Sequence, residues 1–135
     1  MEFAAALRRV RDTAPLVQCI TNFVTVNDCA NIILAAGGSP SMADDIREAA
    51  ESAAGADALV CNLGAIGKVD SMISAGQSAN RAGHPVVLDP VAVGVTTLRR
   101  QLAEQLLDEV RLTVIRGNAS EIRALALREQ VGRGV

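Results

Sequence analysis

The chain has 135 residues, 13 Lys and Arg against 15 Asp and Glu, a net charge of −2, and apolar side chains at half of its positions, which suits one soluble domain over 1–135. Trp and Tyr are absent and Phe occurs only at positions 3 and 23. With neither a basic cluster nor stacking rings, nucleic acid is excluded as an expected partner.

In chain order, residues 3–12 read as a helix with Phe3, Leu7 and Val10 on one stripe. Pro15 opens a short apolar run, Leu16-Val17-Gln18-Cys19-Ile20, with the look of a strand. A second helix is predicted over about 26–36, turning Cys29, Ala30, Ile33 and Leu34 inward and ending at Gly37-Gly38. A short extended piece then reaches Met42. Asp45 and Glu48 have capping-box spacing for a helix over about 46–54. Ala58-Leu59-Val60-Cys61-Asn62, Pro85-Val86-Val87-Leu88 and Leu112-Thr113-Val114-Ile115 are apolar without polar alternation, the pattern of parallel strands covered on both faces. Helices are predicted between them at about 68–82, ended by Gly83, and at about 97–109. A last one starts near Ala119, where Asn118 and Glu121 have N-cap and N3 spacing. This alternation predicts an α/β fold, an open, mainly parallel sheet with helices on both faces. The 23 alanines then allow helices to lie close against the sheet.

No apolar run reaches the roughly 18 residues of a membrane helix, and Met1-Glu2-Phe3-Ala4 begins no basic leader, so a cytoplasmic protein without membrane contact is expected. Cys19, Cys29 and Cys61 form no C-x-x-C pair and read as buried small hydrophobes of a reducing compartment.

Ligands of an open α/β sheet sit beyond the carboxyl ends of its strands, and here those ends are polar and glycine-rich. One rim collects Asn22, Asn62, Lys68, Asp89, Arg116, Asn118 and Glu121. It carries no standard phosphate motif: a Walker loop ending at Gly67-Lys68 would need glycine at Asn62 and a hydroxyl at Val69, and G-x-G-x-x-G is absent. His84 precedes a strand, at the opposite end of the sheet, and reads as structural. Asp89, at the end of an apolar strand, reads as a residue that orders a Mg²⁺ water shell or polarises a hydroxyl near a transferring phosphate, with capping of the loop that follows as the alternative. Arg116, beside Gly117 and a helix N-terminus, has the placement of a phosphate ligand. Glu121 reads equally as a charge at that site or as the N3 residue of a capping box. Met42 reads as core filler, with an apolar ligand pocket as the alternative.

The series Pro15-Leu16-Val17-Gln18-Cys19-Ile20-Thr21-Asn22, Gly38-Ser39-Pro40-Ser41-Met42-Ala43, Asn62-Leu63-Gly64, Val87-Leu88-Asp89-Pro90-Val91-Ala92-Val93-Gly94 and Ile115-Arg116-Gly117-Asn118-Ala119-Ser120-Glu121-Ile122 resembles the hydroxyethylthiazole kinases of thiamine salvage, which are ribokinase-like. The resemblance implies ATP- and Mg²⁺-dependent phosphorylation of the hydroxyl of 4-methyl-5-(2-hydroxyethyl)thiazole. It also implies a homotrimer with active sites between subunits. By position, Asn22, Met42 and Gly64 would contact the thiazole, Asp89 and Glu121 would organise metal and phosphate charge, and Arg116 and Asn118 would face ATP. The family's glycine-rich anion hole and catalytic base belong to a C-terminal half, and nothing in Gln130-Val131-Gly132-Arg133-Gly134-Val135 resembles them. The expectation is therefore the N-terminal part of such a kinase, lacking those groups. A non-catalytic thiazole-binding or oligomerisation module, or another ribokinase-like small-molecule kinase, are the alternatives.

Overall fold

A computed structural model describes residues 2–127. Met1 and residues 128–135 lie outside the described residues, and with them the predicted reading of the chain start and of Gln130–Val135.

The elements alternate as α1 (Phe3–Thr13), β1 (Leu16–Ile20), α2 (Val26–Ala36), β2 (Ser39–Ser41), α3 (Ala49–Gly55), β3 (Ala58–Asn62), a 3₁₀ turn at Ile66–Lys68, α4 (Val69–Ala82), β4 (Val86–Asp89), α5 (Thr97–Glu109), β5 (Val114–Ile115) and α6 (Ala119–Leu127). All strand pairs are parallel, in the order β2-β1-β3-β4-β5. The order doubles back after β2, so β1 and β3 meet where the topology reverses, the place where open α/β sheets bind ligands.

Strand alternation divides the apolar runs between two faces. Gln18, Ile20, Leu59, Cys61, Val86 and Leu88 are all buried on one side, under α3, α4 and α5. Small residues set the distance between these helices. Ala49 and Ala53 of α3 and Ala75 and Ala79 of α4 are buried, and the approach is close enough for Ser78 Oγ to donate to the Ala50 carbonyl at 2.7 Å. A Cβ on Gly76 would lie 2.6 Å from Val110 Cγ1, so α4 meets the end of α5 only because that position has no side chain.

The other face carries Cys19, Val60, Val87 and Val114. Here α2 packs beside β2 and Cys19 of β1 is buried, while Val60 and Val87 are half-buried and Val114 is exposed. Coverage on both faces therefore holds at the β1 end of the sheet and fails at the β5 edge.

One side-chain orientation and two boundaries differ from the sequence reading for identifiable reasons. Leu34 is 58% exposed rather than inward, because α2 buries no residue fully. The Asp45–Glu48 capping box does not form. The Asp45 carboxylate is bound by the Arg47 side chain and backbone at 2.8–2.9 Å, and the helix starts only at Ala49. The last strand is shorter than predicted because Thr113 supplies side-chain chemistry at its start, where Thr113 Oγ1 accepts from the Val86 N–H at 3.1 Å. The glycine stops hold: Gly37 and Gly83 take φ of +105° and +77°, the left-handed conformation that ends a helix without strain only at glycine.

Cys19 and Cys61 are buried as expected and Cys29 is half-buried. Burial, with a smaller contribution from a neighbouring cysteine, pushes the thiol of Cys19 up to about 11 and that of Cys61 up to about 12. Because the folded state holds these protons more tightly than the unfolded chain, whose thiols titrate near 9.0, the stability they contribute is complete below pH 9 and is lost as pH rises through about 11 for Cys19 and about 12 for Cys61. Two results are expected: thiol reagents at pH 8 leave Cys19 and Cys61 unmodified until the chain unfolds, and the urea midpoint falls between pH 9 and pH 11. Mass spectrometry of the labelled peptides and alkaline unfolding curves check them.

Candidate active site

Parallel strands place every carboxyl end on one rim, and the register there can be read residue by residue. Asn62 pairs with Asp89. One step beyond Ile20↔Cys61 brings Thr21 beside Asn62, and one step beyond Leu88↔Ile115 brings Arg116 beside Asp89. The row Thr21, Asn62, Asp89, Arg116 thus crosses four strands on the less covered face.

Two groups of contacts occupy this rim. In the first, Asn22 Oδ1 accepts from the backbone N–H groups of Val24 at 3.1 Å and Thr25 at 3.2 Å, shaping the turn after β1. Its Nδ2 donates to Asn62 Oδ1 at 3.4 Å, and Asn62 Oδ1 also accepts from the Gly64 N–H at 2.9 Å. A Cβ on Gly64 would stand 2.6 Å from Asn62 Oδ1, 3.0 Å from Asn22 Nδ2 and 3.3 Å from Val91 Cγ1. Asn22, Asn62, Gly64 and Val91 therefore form a single cluster, in which glycine is required by space. Thr21 Oγ1, next to Asn22, is buried without a hydrogen-bond partner among the described residues.

The second group lies toward the β5 edge. Arg116 Nη1 donates to Asp89 Oδ2 at 2.9 Å, with the arginine side chain 74% exposed and the aspartate 19%. Among the described residues no hydrogen bond reaches Asp89 Oδ1. At the start of α6, Asn118 Oδ1 accepts from the Glu121 N–H at 2.9 Å and Glu121 Oε2 accepts from the Asn118 N–H at 2.9 Å, which is a reciprocal capping box. The other oxygen, Oε1, accepts from the Ala92 N–H at 3.0 Å. Glu121 is thus buried, 8% exposed, and ties the loop after β4 to α6.

Of the predicted residues, Asn22 and Gly64 are brought into contact, as are Asp89 with Arg116 and Asn118 with Glu121. Met42 follows β2 on the same rim, half-buried, and shares no hydrogen bond with either group. Lys68 is drawn into an ion pair with Asp44 at 3.3 Å. His84 lies at the far end of the sheet, its Nδ1 3.3 Å from the Ala53 carbonyl.

One rim residue escaped the sequence reading. Arg99, in the first turn of α5, donates from Nη1 to the carbonyls of Leu63 at 3.1 Å and Val91 at 3.2 Å, joining the loops after β3 and β4. The signal available was a local conflict. A cation at a helix N-terminus opposes the helix dipole, and such a position is where a tertiary role is to be sought.

The rim's donor set offers one uncommitted carboxylate oxygen on Asp89, a hard ligand of the kind Mg²⁺ takes. The two Glu121 oxygens are already engaged with backbone N–H groups. The exposed Arg116 guanidinium and the N-terminus of α6 offer donors to phosphate oxygens.

Comparison with known proteins gives the same direction. The model of the hydroxyethylthiazole kinase family matches residues 7–135. Hydroxyethylthiazole kinase of Clostridium acetobutylicum is 54% identical over 131 residues, covering 96% of this chain and 48% of the relative. That of Desulfovibrio desulfuricans is 53% identical over 135 residues, covering 98% and 47%. A solved structure of a hydroxyethylthiazole kinase protein from Pyrococcus horikoshii superposes with a TM-score of 0.87 at 44% identity, over 92% of this chain and 49% of that one. The chain spans about half the length of the curated relatives it matches.

Proposed function

The chain belongs to the hydroxyethylthiazole kinase family, and from that membership we propose that its strand-end rim holds the thiazole and part of the phosphate machinery of an ATP-dependent kinase acting on the hydroxyl of 4-methyl-5-(2-hydroxyethyl)thiazole. The observation that carries the reading is the Asn22–Asn62–Gly64 cluster, a polar cradle at the reversal point of the sheet with no room for a side chain on Gly64.

In this reading Asn22, Gly64 and Met42 bound the heterocycle, and the thioether of Met42 is a soft contact for a sulfur ring. Asp89 would hold Mg²⁺ through its uncommitted oxygen, with Glu121 adding negative charge behind it. Bound there, the metal supplies electrostatic neutralisation of phosphate oxygens. The Arg116 side chain is exposed and joined only to Asp89 among the described hydrogen bonds and ion pairs, so it can turn to ATP phosphates, with Asn118 at the α6 terminus beside them. Transfer also requires further donors for the developing phosphate charge and a base for the substrate hydroxyl, and the reading assigns the base to no residue of this rim.

The reading extends to a homo-oligomer whose second copy adjoins the site. Phe23 and Val24, next to Asn22, are 90% and 74% exposed, an apolar pair in search of cover. No described helix is long and apolar enough to cross a membrane.

A chimera tests the assignment. Residues 1–135 are joined to the remaining half of the Clostridium acetobutylicum relative and supplied with ATP, Mg²⁺ and the thiazole alcohol. Formation of the phosphate ester is expected, and Asp89→Ala should reduce it by about 100-fold or more while the chimera stays folded. A folded chimera without turnover, or full turnover after Asp89→Ala, would contradict the proposal.

A further inference from the structure

The loop after β4 contains a turn in an unusual state. The Val93 N–H donates to the Pro90 carbonyl at 3.0 Å, which makes Pro90–Val93 a β-turn with Val91 and Ala92 at its centre. Ala92 has φ of +57°, while Val91 is not among the residues of positive φ. That combination is a type II turn, whose third position normally needs glycine. An alanine there favours rotation of the central peptide, which converts the turn to type I, by a factor of roughly 5–30.

The central peptide is the one joining Val91 to Ala92, and both of its polar ends are held by charged side chains. Arg99 Nη1 donates to the Val91 carbonyl at 3.2 Å, and Glu121 Oε1 accepts from the Ala92 N–H at 3.0 Å. The carbonyl and N–H of a trans peptide point in opposite directions, so the two side chains grip it from opposite sides. Rotating it would break both charge-assisted hydrogen bonds at once. Arg99 is anchored in turn on the Leu63 carbonyl at 3.1 Å. Val91 Cγ1 lies 3.3 Å from where a Gly64 Cβ would be. The same Arg99 Nη1 ties the carbonyls of Val91 and of Leu63, one residue before Gly64, so a flip that turns the Val91 carbonyl away from Arg99 also releases the tie that holds Val91 against the Asn62–Gly64 cradle.

We propose that Arg99 and Glu121 act together as positioning residues, holding the Val91–Ala92 peptide in its strained orientation and so fixing Val91 as a wall of the Gly64 cradle. For Glu121 this role is distinct from contributing charge to a metal. The importance of the wall for thiazole binding rests on the functional reading above, whereas the grip itself does not.

Nuclear magnetic resonance of the chain reads the grip directly, because a type II turn brings Val91 Hα close to the Ala92 N–H and a type I turn moves them apart. A strong cross-peak between these protons is expected, together with one from the Val91 methyls to Gly64 Hα. Arg99→Met should weaken both, as should Glu121→Gln. Adding Ala92→Gly to either variant should restore them, since glycine accepts the left-handed conformation, and Arg99→Lys should keep them in part. A role for the two residues in overall stability alone would lower the melting temperature without changing these cross-peaks, and so would overturn the proposal. Persistence of both cross-peaks in folded Arg99→Met and Glu121→Gln does the same, as does a failure of Ala92→Gly to restore them. In parallel, calorimetry with 4-methyl-5-(2-hydroxyethyl)thiazole should show about tenfold weaker binding for Arg99→Met, recovered by Ala92→Gly. If the unsubstituted chain does not bind the alcohol, the functional reading fails while the cross-peaks still decide the grip.

Discussion

Replacing Glu121 with Ala is expected to destabilise the chain by about 3–6 kcal/mol, because two hydrogen bonds to a charged group are lost and each is worth about 1.5–3 kcal/mol. The bonds in question, to Ala92 at 3.0 Å and to Asn118 at 2.9 Å, are made by a carboxylate that is only 8% exposed. Their loss leaves two backbone N–H groups without their acceptor and removes half of the α6 capping box. For a domain whose total stability is of the order of 5–15 kcal/mol, the variant should unfold at a clearly lower urea concentration. Glu121→Gln retains one acceptor and should lie between the two. A surface glutamate would behave otherwise, since such substitutions change stability by no more than about 0.5 kcal/mol. A shift that small in the urea midpoint would mean that the carboxylate does not clamp the loop.

Gly64→Ala is the second large effect. The added methyl would stand 2.6 Å from Asn62 Oδ1, an oxygen that is itself pinned by the Gly64 N–H at 2.9 Å and by Asn22 Nδ2 at 3.4 Å. Asn62 cannot retreat without giving up those bonds, and on the other side Val91 is held by the peptide grip. Overpacking of this kind costs about 1–3 kcal/mol, and the cradle opens to relieve it. Binding of the thiazole alcohol should fall by more than about tenfold, the equivalent of 1.4 kcal/mol. Calorimetry measures the binding and a thermal melt the stability. Gly55→Ala is the control, because a Cβ there meets nothing within 4 Å.

The elements that were legible in the sequence are those whose signals are local and repeated. The three apolar runs at 58–62, 85–88 and 112–115 led to β3, β4 and β5, and Asn118-x-x-Glu121 led to the reciprocal cap of α6. The glycines at 37 and 83 marked helix ends because no other residue takes their φ cheaply. What could not be read is tertiary competition for a side chain. Asp45 and Glu48 have the spacing of a cap, but Arg47 between them takes the carboxylate first. Leu34 fits an inward stripe, yet exposure depends on what lies over α2. At the site, the row of strand ends gave Asn22, Asp89 and Arg116 because topology alone delivers them to one rim. Arg99 was hidden because its partners are the carbonyls of Leu63 and Val91, which have no signature in sequence. The second attachment of Glu121, to Ala92, was hidden for the same reason. Ala92 itself is the instructive case: a residue ordinary in sequence whose positive φ exists only because neighbours hold it there.

The central claim is that the Asn22–Asn62–Gly64 cradle is a thiazole site, and the most direct measurement is an amide-resolved titration of the chain with 4-methyl-5-(2-hydroxyethyl)thiazole. The account predicts saturable shifts of the Asn22, Asn62, Gly64 and Val91 amides, lost in Gly64→Ala and retained in Gly55→Ala. Saturable shifts confined to other parts of the fold, or no shift at these four amides at concentrations that saturate the Clostridium acetobutylicum relative, would contradict it.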